Sequence, residues 1–308
     1  MNPARRLGRF YTAIFIACCL VMMLGYGISA AQSSGKEENS SAGSPGDKSR
    51  YNLFNPTPPE KMREFLPDRP DKTESPYTID AGHFAIETGI VSYTYNHMSG
   101  FDARRPQHQV LIGDNNFKAG VLNNMDLQFV FQSFIWQRAK VGPDAHSDDT
   151  GVGDAQVRAK INLWGNDAGR TAMAIMPWVG LPISSLENGN NKVTGGVIFP
   201  FGFEGPWGWN IGLMTEIDSI NDAVGSGYHA EWVNTIVLHH DIIPGKLDGY
   251  VEFFSNNSFD AGSPWEATVD VGLIYEVSRN FYLDCGVNVG VTKQADDVNP
   301  FIGFAKRF

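Results

Sequence analysis

From residue 83 onward, the chain alternates polar and apolar side chains in segments that are separated by turn residues. The clearest segment is 153–164, in which Asp, Gln, Arg, Lys and Asn alternate with Ala, Val, Ile and Leu. Successive side chains of a β-strand point to opposite faces, so this period of two predicts a strand with one polar and one apolar face. The same division recurs in 207–218, 265–277 and 281–292. The pattern therefore predicts an all-β protein.

Connection lengths distinguish a membrane barrel from a soluble sandwich, since the strands of both alternate. The short turns are 123–124, 165–169, 205–208, 244–245 and 278–280, and the longer loops are 97–106, 140–152, 184–192, 219–227, 256–264 and 293–298. Outer-membrane barrels have short turns at the periplasmic rim and longer loops at the outer rim. Because lipid cannot satisfy an open sheet edge, the barrel must close. We therefore expect residues 83–308 to form a transmembrane antiparallel up-and-down β-barrel of about twelve strands.

The residues before the barrel divide into three parts by composition. Residues 1–31 carry three arginines, then an apolar run, then small residues, which is the order of a cleaved signal peptide. Residues 32–65 are polar and rich in Gly, Ser and Pro, and we expect them to form a disordered tether. Residues 66–82 are dense in charge and proline, which predicts an ordered, irregular segment ahead of the first strand.

Charge and cysteine content narrow the choice of compartment and partners. Removing the three signal-peptide arginines leaves 21 basic residues against 34 acidic ones, so nucleic acid is not an expected partner. Cys285 is then the one remaining cysteine, and such scarcity agrees with export to an oxidising compartment. We expect the bacterial outer membrane as the location. Its lipid is one expected partner, and the barrel assembly machinery, reached through the terminal Phe308, is another.

Four runs of the sequence resemble one bacterial family. They are PDRPDKTESPYTIDAGHFAIETGIVSYTYN, GVGDAQVRAKINLWGND, YLDCGVNVGVT and NPFIGFAKRF. The chain resembles the family of the MetA pathway of phenol degradation over residues 66–308. This resemblance implies an outer-membrane barrel that moves small molecules, among them aromatic compounds.

If the apolar faces meet lipid, the polar residues of the same strands line the lumen and are candidates for contact with a solute. These residues are Asp126, Asp154, Gln156, Arg158, Lys160, Glu216, Asp218, Glu252, Glu266, Asp270, Glu276 and Asp284. Acids dominate, and Arg158 and Lys160 lie on one strand, which suggests an acidic wall that faces two bases. The alternative is that these charges pair across strands and fill a narrow barrel.

The segment 66–82 is too highly charged to face lipid. Its charged candidates are Asp68, Arg69, Asp71, Lys72 and Glu74. We expect the segment to fold into the lumen as a plug near the periplasmic mouth, with Arg69 and Lys72 against lumen acids. A cap on the periplasmic side, or a contact for the assembly machinery, is the alternative.

No residue pattern predicts catalysis or a cofactor. The seven histidines lack the spacing of metal ligands, and no glycine-rich loop joins a strand to a helix, so we expect neither metal nor cofactor. Trp136, Trp178 and Tyr250 are expected in the aromatic girdles of the membrane interface. The sequence therefore predicts a passive channel for small solutes. A non-conducting structural barrel and a barrel hydrolase are the alternatives.

Overall fold

The computed structural model describes residues 47–97, 106–142, 144–187, 189, 192–222, 227–260 and 265–308. Thirteen strands occur in these residues: β1 (Phe84–Tyr95), β2 (His108–Leu122), β3 (Met125–Lys140), β4 (His146–Gly151), β5 (Ala155–Trp164), β6 (Thr171–Leu181), β7 (Thr194–Glu204), β8 (Trp209–Asn221), β9 (Tyr228–Ile243), β10 (Leu247–Ser258), β11 (Glu266–Ser278), β12 (Phe281–Gly290) and β13 (Val298–Arg307). None of the helices found there is long and apolar enough to cross a membrane. The predicted signal peptide and residues 32–46 of the predicted tether lie outside the described residues.

The strands form one closed antiparallel barrel. Apart from β4 and β5, each strand pairs with its neighbours along the chain, and β1 pairs with β13 to close the wall. The strands β4 and β5 both pair with β3. Residues 135–140 of β3 pair with β4, and residues 125–131 of β3 pair with β5. They are therefore two halves of one barrel strand, and the wall has twelve strands, which confirms the predicted fold.

The break between β4 and β5 falls at residues 152–154. The predicted strand begins at Gly153, whereas the structure begins β5 at Ala155. The backbone N–H of Gly153 donates to the carbonyl of Gln132 at 3.0 Å, and the carboxylate of Asp154 accepts the N–H of Ser184 at 3.0 Å. Asp154 is therefore engaged with a loop and does not continue the polar face of the strand.

The two faces of the barrel wall have opposite chemistry. Val157, Ile217 and Val271 face outward and are 45, 57 and 41% exposed, although such residues would be buried in a soluble protein. The inward-facing Lys160 and Asp270 are 0% exposed. Because hydrocarbon surrounds a membrane barrel, the apolar side chains gain most by pointing outward. The alternation of the sequence therefore indicates the direction in which these side chains point.

Short connections gather at one rim of the barrel and longer ones at the other. The pairs β2–β3, β9–β10 and β11–β12 are joined by residues 123–124, 244–246 and 279–280. At this short-turn rim the barrel also starts and ends, since the N–H of Phe308 donates to the carbonyl of Phe84 at 2.8 Å. The chain that precedes β1 therefore reaches the barrel from the short-turn rim.

Residues 47–65, which we expected to belong to the disordered tether, are packed against the short-turn rim. Tyr51 is 4% exposed and Phe65 is 1% exposed. The Lys48 ammonium group lies 2.5 Å from the Asp167 carboxylate. Polar composition suggested disorder because this stretch has no core of its own, but two buried aromatic rings and an ion pair attach it to the barrel. The expected boundary at residue 65 is therefore wrong, because residues 47–65 are ordered against the barrel.

Candidate functional site

Residues 66–82, called the inner segment below, project into the barrel from the short-turn rim. Phe65 and Ile79, near the two ends of the segment, pack together with Ala85 of β1 and Ala305 of β13. Both ends are therefore held near the start of β1 and the end of β13. The residues between them contact inward-facing side chains on strands around the barrel.

Asp68 of the inner segment lies between two lysines of the barrel wall. The ammonium group of Lys160 is 2.5 Å from the Asp68 carboxylate, and Lys118 contacts the carboxylates of both Asp68 and Glu87. All four side chains are at most 6% exposed. Burial acts to raise the pKa of Asp68, but Lys118 and Lys160 outweigh it and hold this pKa well below its usual value. Asp68 is therefore ionised and joins β1, β2 and β5.

Arg69 makes the next contact, with β12. Its guanidinium group donates two hydrogen bonds to the Asp284 carboxylate, at 2.8 and 3.2 Å. The two wall residues beside the guanidinium group are glycines. A Cβ atom on Gly303 would lie 2.2 Å from Arg69 Nη2, and a Cβ atom on Gly89 would lie 3.2 Å from Arg69 Nη1. The absence of side chains at these two positions makes room for the bidentate pair, which is among the stronger ion pairs in proteins.

Lys72 and Thr73 bind the two strands that follow β12 around the wall, β11 and β10. The Lys72 ammonium group lies 3.0 Å from Asp270 and 4.4 Å from the ring centre of Phe254. The Lys72 backbone N–H and the Thr73 hydroxyl donate to the Glu252 carboxylate at 2.9 and 2.6 Å. The inner segment thus supplies donors to acids of β10 and β11.

The remaining charges of the inner segment are also paired with the wall. Asp71 lies 3.1 Å from His239, whose other ring nitrogen is 3.1 Å from Asp248. Glu74 lies 2.6 Å from the Arg158 guanidinium group. The five charged residues predicted as a plug therefore all meet side chains of the barrel wall.

A second cluster, built around Asp80, fixes the segment at the short-turn rim. Asp80 is 0% exposed and lies within 3.5 Å of Lys48, Arg63 and Arg307. Arg307 is the last residue of β13, so the cluster ties the end of the inner segment to the end of the barrel. Sequence reasoning missed these residues because they are far apart along the chain.

The predicted lumen residues fall into groups. Asp126, Arg158, Lys160, Glu252, Asp270 and Asp284 contact the inner segment. Gln156 accepts hydrogen bonds from Arg158 at 2.7 and 2.9 Å. Glu266 begins β11 and borders a cavity, and Glu276 lies by the short-turn rim, with its N–H donating to the Lys246 carbonyl. Glu216 and Asp218 lie on β8.

The expected acidic wall facing two bases is replaced by a different arrangement of charge. Arg158 and Lys160 are paired with Glu74 and Asp68 of the inner segment. A third base, Lys118 on β2, is equally buried, and sequence reasoning missed it together with its partner Glu87. The alternation of β1, in which Ala85 and Glu87 share the inward face, is the signal that could have found Glu87.

Two aromatic residues that we expected in the membrane girdles point into the barrel. Trp178 is 8% exposed and its indole N–H donates to Glu216 at 2.9 Å. Tyr250 is 3% exposed and its ring stacks on His239 at 5.6 Å. Their neighbours Val179 and Val251 are 46 and 50% exposed, which fixes the outward direction. The girdle prediction is therefore wrong for both, because strand parity outweighs residue type.

A cavity of about 470 Å³ lies between the inner segment and the long loops. Its lining combines the inner segment with charged, amide and aromatic residues of the wall, among them Arg69, Lys72, Asp114, Phe254, Asn299 and Phe301. The volume is that of a small-molecule site, for which roughly 300–1,000 Å³ is typical. The described residues contain no group of three or more His, Cys, Asp or Glu side chains placed to hold a metal ion.

Residues 67–308 match the family described as "Putative MetA-pathway of phenol degradation". The chain belongs to this family. The predicted resemblance is thereby confirmed, over the inner segment as well as the barrel. No curated protein matches the chain.

The fold is similar to that of solved outer-membrane proteins. The COG4313 outer membrane channel from Pseudomonas putida F1 is 13% identical, with a TM-score of 0.51 over 78% of this chain and 99% of that chain. The NanC porin is 8% identical, with a TM-score of 0.46 over 72% of this chain and 98% of that chain. The first likeness establishes that this family member has the outer-membrane barrel fold.

Glu74 gives the docked inner segment a dependence on pH. Burial and the nearby Asp68 raise the pKa of Glu74 to about 7, although Arg158 acts to lower it. A raised carboxyl pKa means that the folded state binds the proton more tightly than the unfolded state. Stability from this group is therefore greatest below its usual pKa of 4.5 and falls as pH rises towards 7.

We expect the wild-type protein to lose stability between pH 5 and pH 8 relative to the variant Glu74→Gln, which cannot titrate. Urea midpoints of the refolded proteins at several pH values measure the difference. A wild-type advantage that grows with pH would show instead that Arg158 keeps Glu74 ionised.

Proposed function

We propose that the protein is an outer-membrane channel for the passive uptake of small solutes. The observation that carries this proposal is the cavity of about 470 Å³ inside a closed barrel, beside a segment that only non-covalent contacts hold to the wall. In a structural barrel that does not conduct, the side chains of the strands could fill the lumen without such a segment. Release or rearrangement of the inner segment would connect the cavity to the short-turn rim.

Aromatic compounds are among the solutes that we propose. Phe254 and Phe301 line the cavity together with polar groups, a combination that can bind an aromatic ring and orient a substituent. The family description, with its reference to phenol degradation, points in the same direction.

We also infer that the protein is not an enzyme. In the described part of the chain, His229 and His239 pair with carboxylates, and His108 with the Tyr93 hydroxyl. A serine hydroxyl beside a histidine, as a barrel hydrolase needs, is not found among these hydrogen bonds. Assay of the folded protein against ester and phospholipid substrates tests this inference, and steady turnover would overturn it.

Single-channel recording tests the proposed function. The full protein, refolded in detergent and inserted into a planar bilayer, is expected to give discrete conductance steps. Folding is checked by the shift in gel migration between heated and unheated samples. A folded barrel that gives no steps, and no flux of small solutes into liposomes, would favour a structural outer-membrane protein.

A further inference from the structure

Glu216 and Asp218 face the barrel interior from β8. Ile217 between them is 57% exposed on the outer surface, so the residues on either side of it point inward. Trp178 of β6 reaches the same place, where its indole N–H donates to Glu216 at 2.9 Å. Asp218 is 7% exposed, whereas Glu216 keeps partial exposure to the interior.

Within the described part of the chain, these two carboxylates lack the cation that three other buried acids of the inner wall have. Glu87, Asp270 and Asp284 each pair with a lysine or arginine. No lysine or arginine among the described residues forms an ion pair with Glu216 or Asp218, and Asp218 Oδ1 accepts no hydrogen bond there. The two carboxyl groups hydrogen-bond to each other, which requires a shared proton. Because a buried carboxylate without a cation is costly to stability, a cation that replaced this proton would complete the pair.

Asp218 and Trp178 meet above a glycine of β7, and Glu216 joins them through the indole N–H. A Cβ on Gly196 would lie 1.9 Å from Asp218 Oδ1 and 2.7 Å from Trp178 Nε1. Any larger residue there would push the indole and the carboxylate apart. The small residue therefore keeps two acids and an aromatic ring together in one recess of the wall.

An apolar surface adjoins this recess. Met176, Trp178, Ile198, Met214 and Val233 form a buried cluster on the inner wall. Ile220 and Phe254 pack against its edge and remain partly exposed. A ligand whose apolar part packed on this surface would have its polar group within reach of the two carboxylates.

We propose that Trp178, Glu216 and Asp218 bind the ammonium group of amine-bearing solutes, whose apolar part packs on Ile220 and Phe254. A primary ammonium group has three donors for the two carboxylates, and the indole face attracts a cation. This inference deepens the proposed function and rests on it, since it assigns the channel a preference for small amines over acids and alcohols of the same size.

Calorimetric titration of the full-length protein in detergent tests the site. The probes are phenethylammonium, phenylacetate and 2-phenylethanol, which share a phenyl ring and differ in charge. We expect phenethylammonium to bind most tightly. The double variant Glu216→Gln/Asp218→Asn keeps the side-chain shapes and should weaken that binding by about tenfold or more, the scale of a lost charge-assisted hydrogen bond, while binding of 2-phenylethanol stays unchanged.

A matched control, Asp144→Asn/Glu187→Gln, removes two exposed acids and should leave all three affinities unchanged. Equal affinity for the three probes, or equal loss in both double variants, would overturn the site. Single-channel recording keeps the two proposals separate. Conductance steps without a preference for the amine would support the proposed channel and contradict the amine site. Amine binding without conductance steps would support the amine site and contradict the channel.

Discussion

Replacing residues 66–78 with a short Gly–Ser linker is expected to increase single-channel conductance severalfold. The inner segment occupies the middle of the barrel, where Asp68, Arg69 and Lys72 reach strands on opposite sides of the wall. Removing it would join the cavity of about 470 Å³ to the short-turn rim. Phe65 and Ile79 pack together, so a short linker can close the gap without pulling the barrel apart.

A control for this deletion replaces Glu60 and Lys61 with Gly and Ser. Both residues are exposed and precede the inner segment, so conductance should stay at the wild-type level. Gel migration of unheated samples shows whether each variant is folded. Folded deletion variants with unchanged conductance would mean that the inner segment does not limit passage through the barrel.

The second large effect is expected from Lys118→Met. Lys118 is 4% exposed and contacts both Asp68 and Glu87, so its loss leaves Glu87 buried without a cation. Breaking a buried ion pair in this way costs about 3–5 kcal/mol. Urea unfolding of the refolded protein should therefore show a clearly lower midpoint.

Two further variants separate loss of the ion pair from loss of packing. Arg138→Gln breaks an exposed pair with Asp148, whose side chains are 42 and 47% exposed, and should change stability little. Lys118→Met combined with Glu87→Gln removes both charges and should recover part of the loss. If Lys118→Met were no more harmful than Arg138→Gln, the buried ion-pair cluster would not stabilise the docked segment.

The barrel could be predicted from sequence because the membrane imposes a local rule. In 156–162 every second residue is polar, since the outer face meets hydrocarbon and the inner face does not. The count of such segments then gave the number of strands, and the turn lengths gave the rim at which the barrel begins. Both features depend only on neighbours along the chain.

The inner wall was harder to predict because its partners are distant in sequence. Asp68 meets Lys118 and Lys160, which are 50 and 92 residues away. The alternation of polar and apolar residues does not indicate which acid of the lumen pairs with which base of the inner segment. The ordered structure of residues 47–65 was not predicted for the same reason. The short-turn rim of the barrel, and not the stretch itself, supplies the core against which their side chains pack.

The apolar part of the inner wall shows a second limit. Met176, Ile198 and Met214 point inward although they are apolar, because they pack on one another and need no contact with lipid. A pattern that assigns apolar residues to the outside misplaces them. Trp178 was placed in a girdle by the same reasoning, and its hydrogen bond to Glu216 could not be foreseen from composition.

The position of the inner segment can be tested most directly by crosslinking residue 72 to residue 270 in intact outer membranes. The Lys72 ammonium group lies 3.0 Å from Asp270, so cysteines at these positions, in a Cys285→Ser background, should be joined efficiently by a short bifunctional reagent. A cysteine at Val271, which is 41% exposed on the outer face, should not link to residue 72. Failure of residue 72 to link to position 270 or to any other inward-facing position would contradict the placement of the segment inside the barrel.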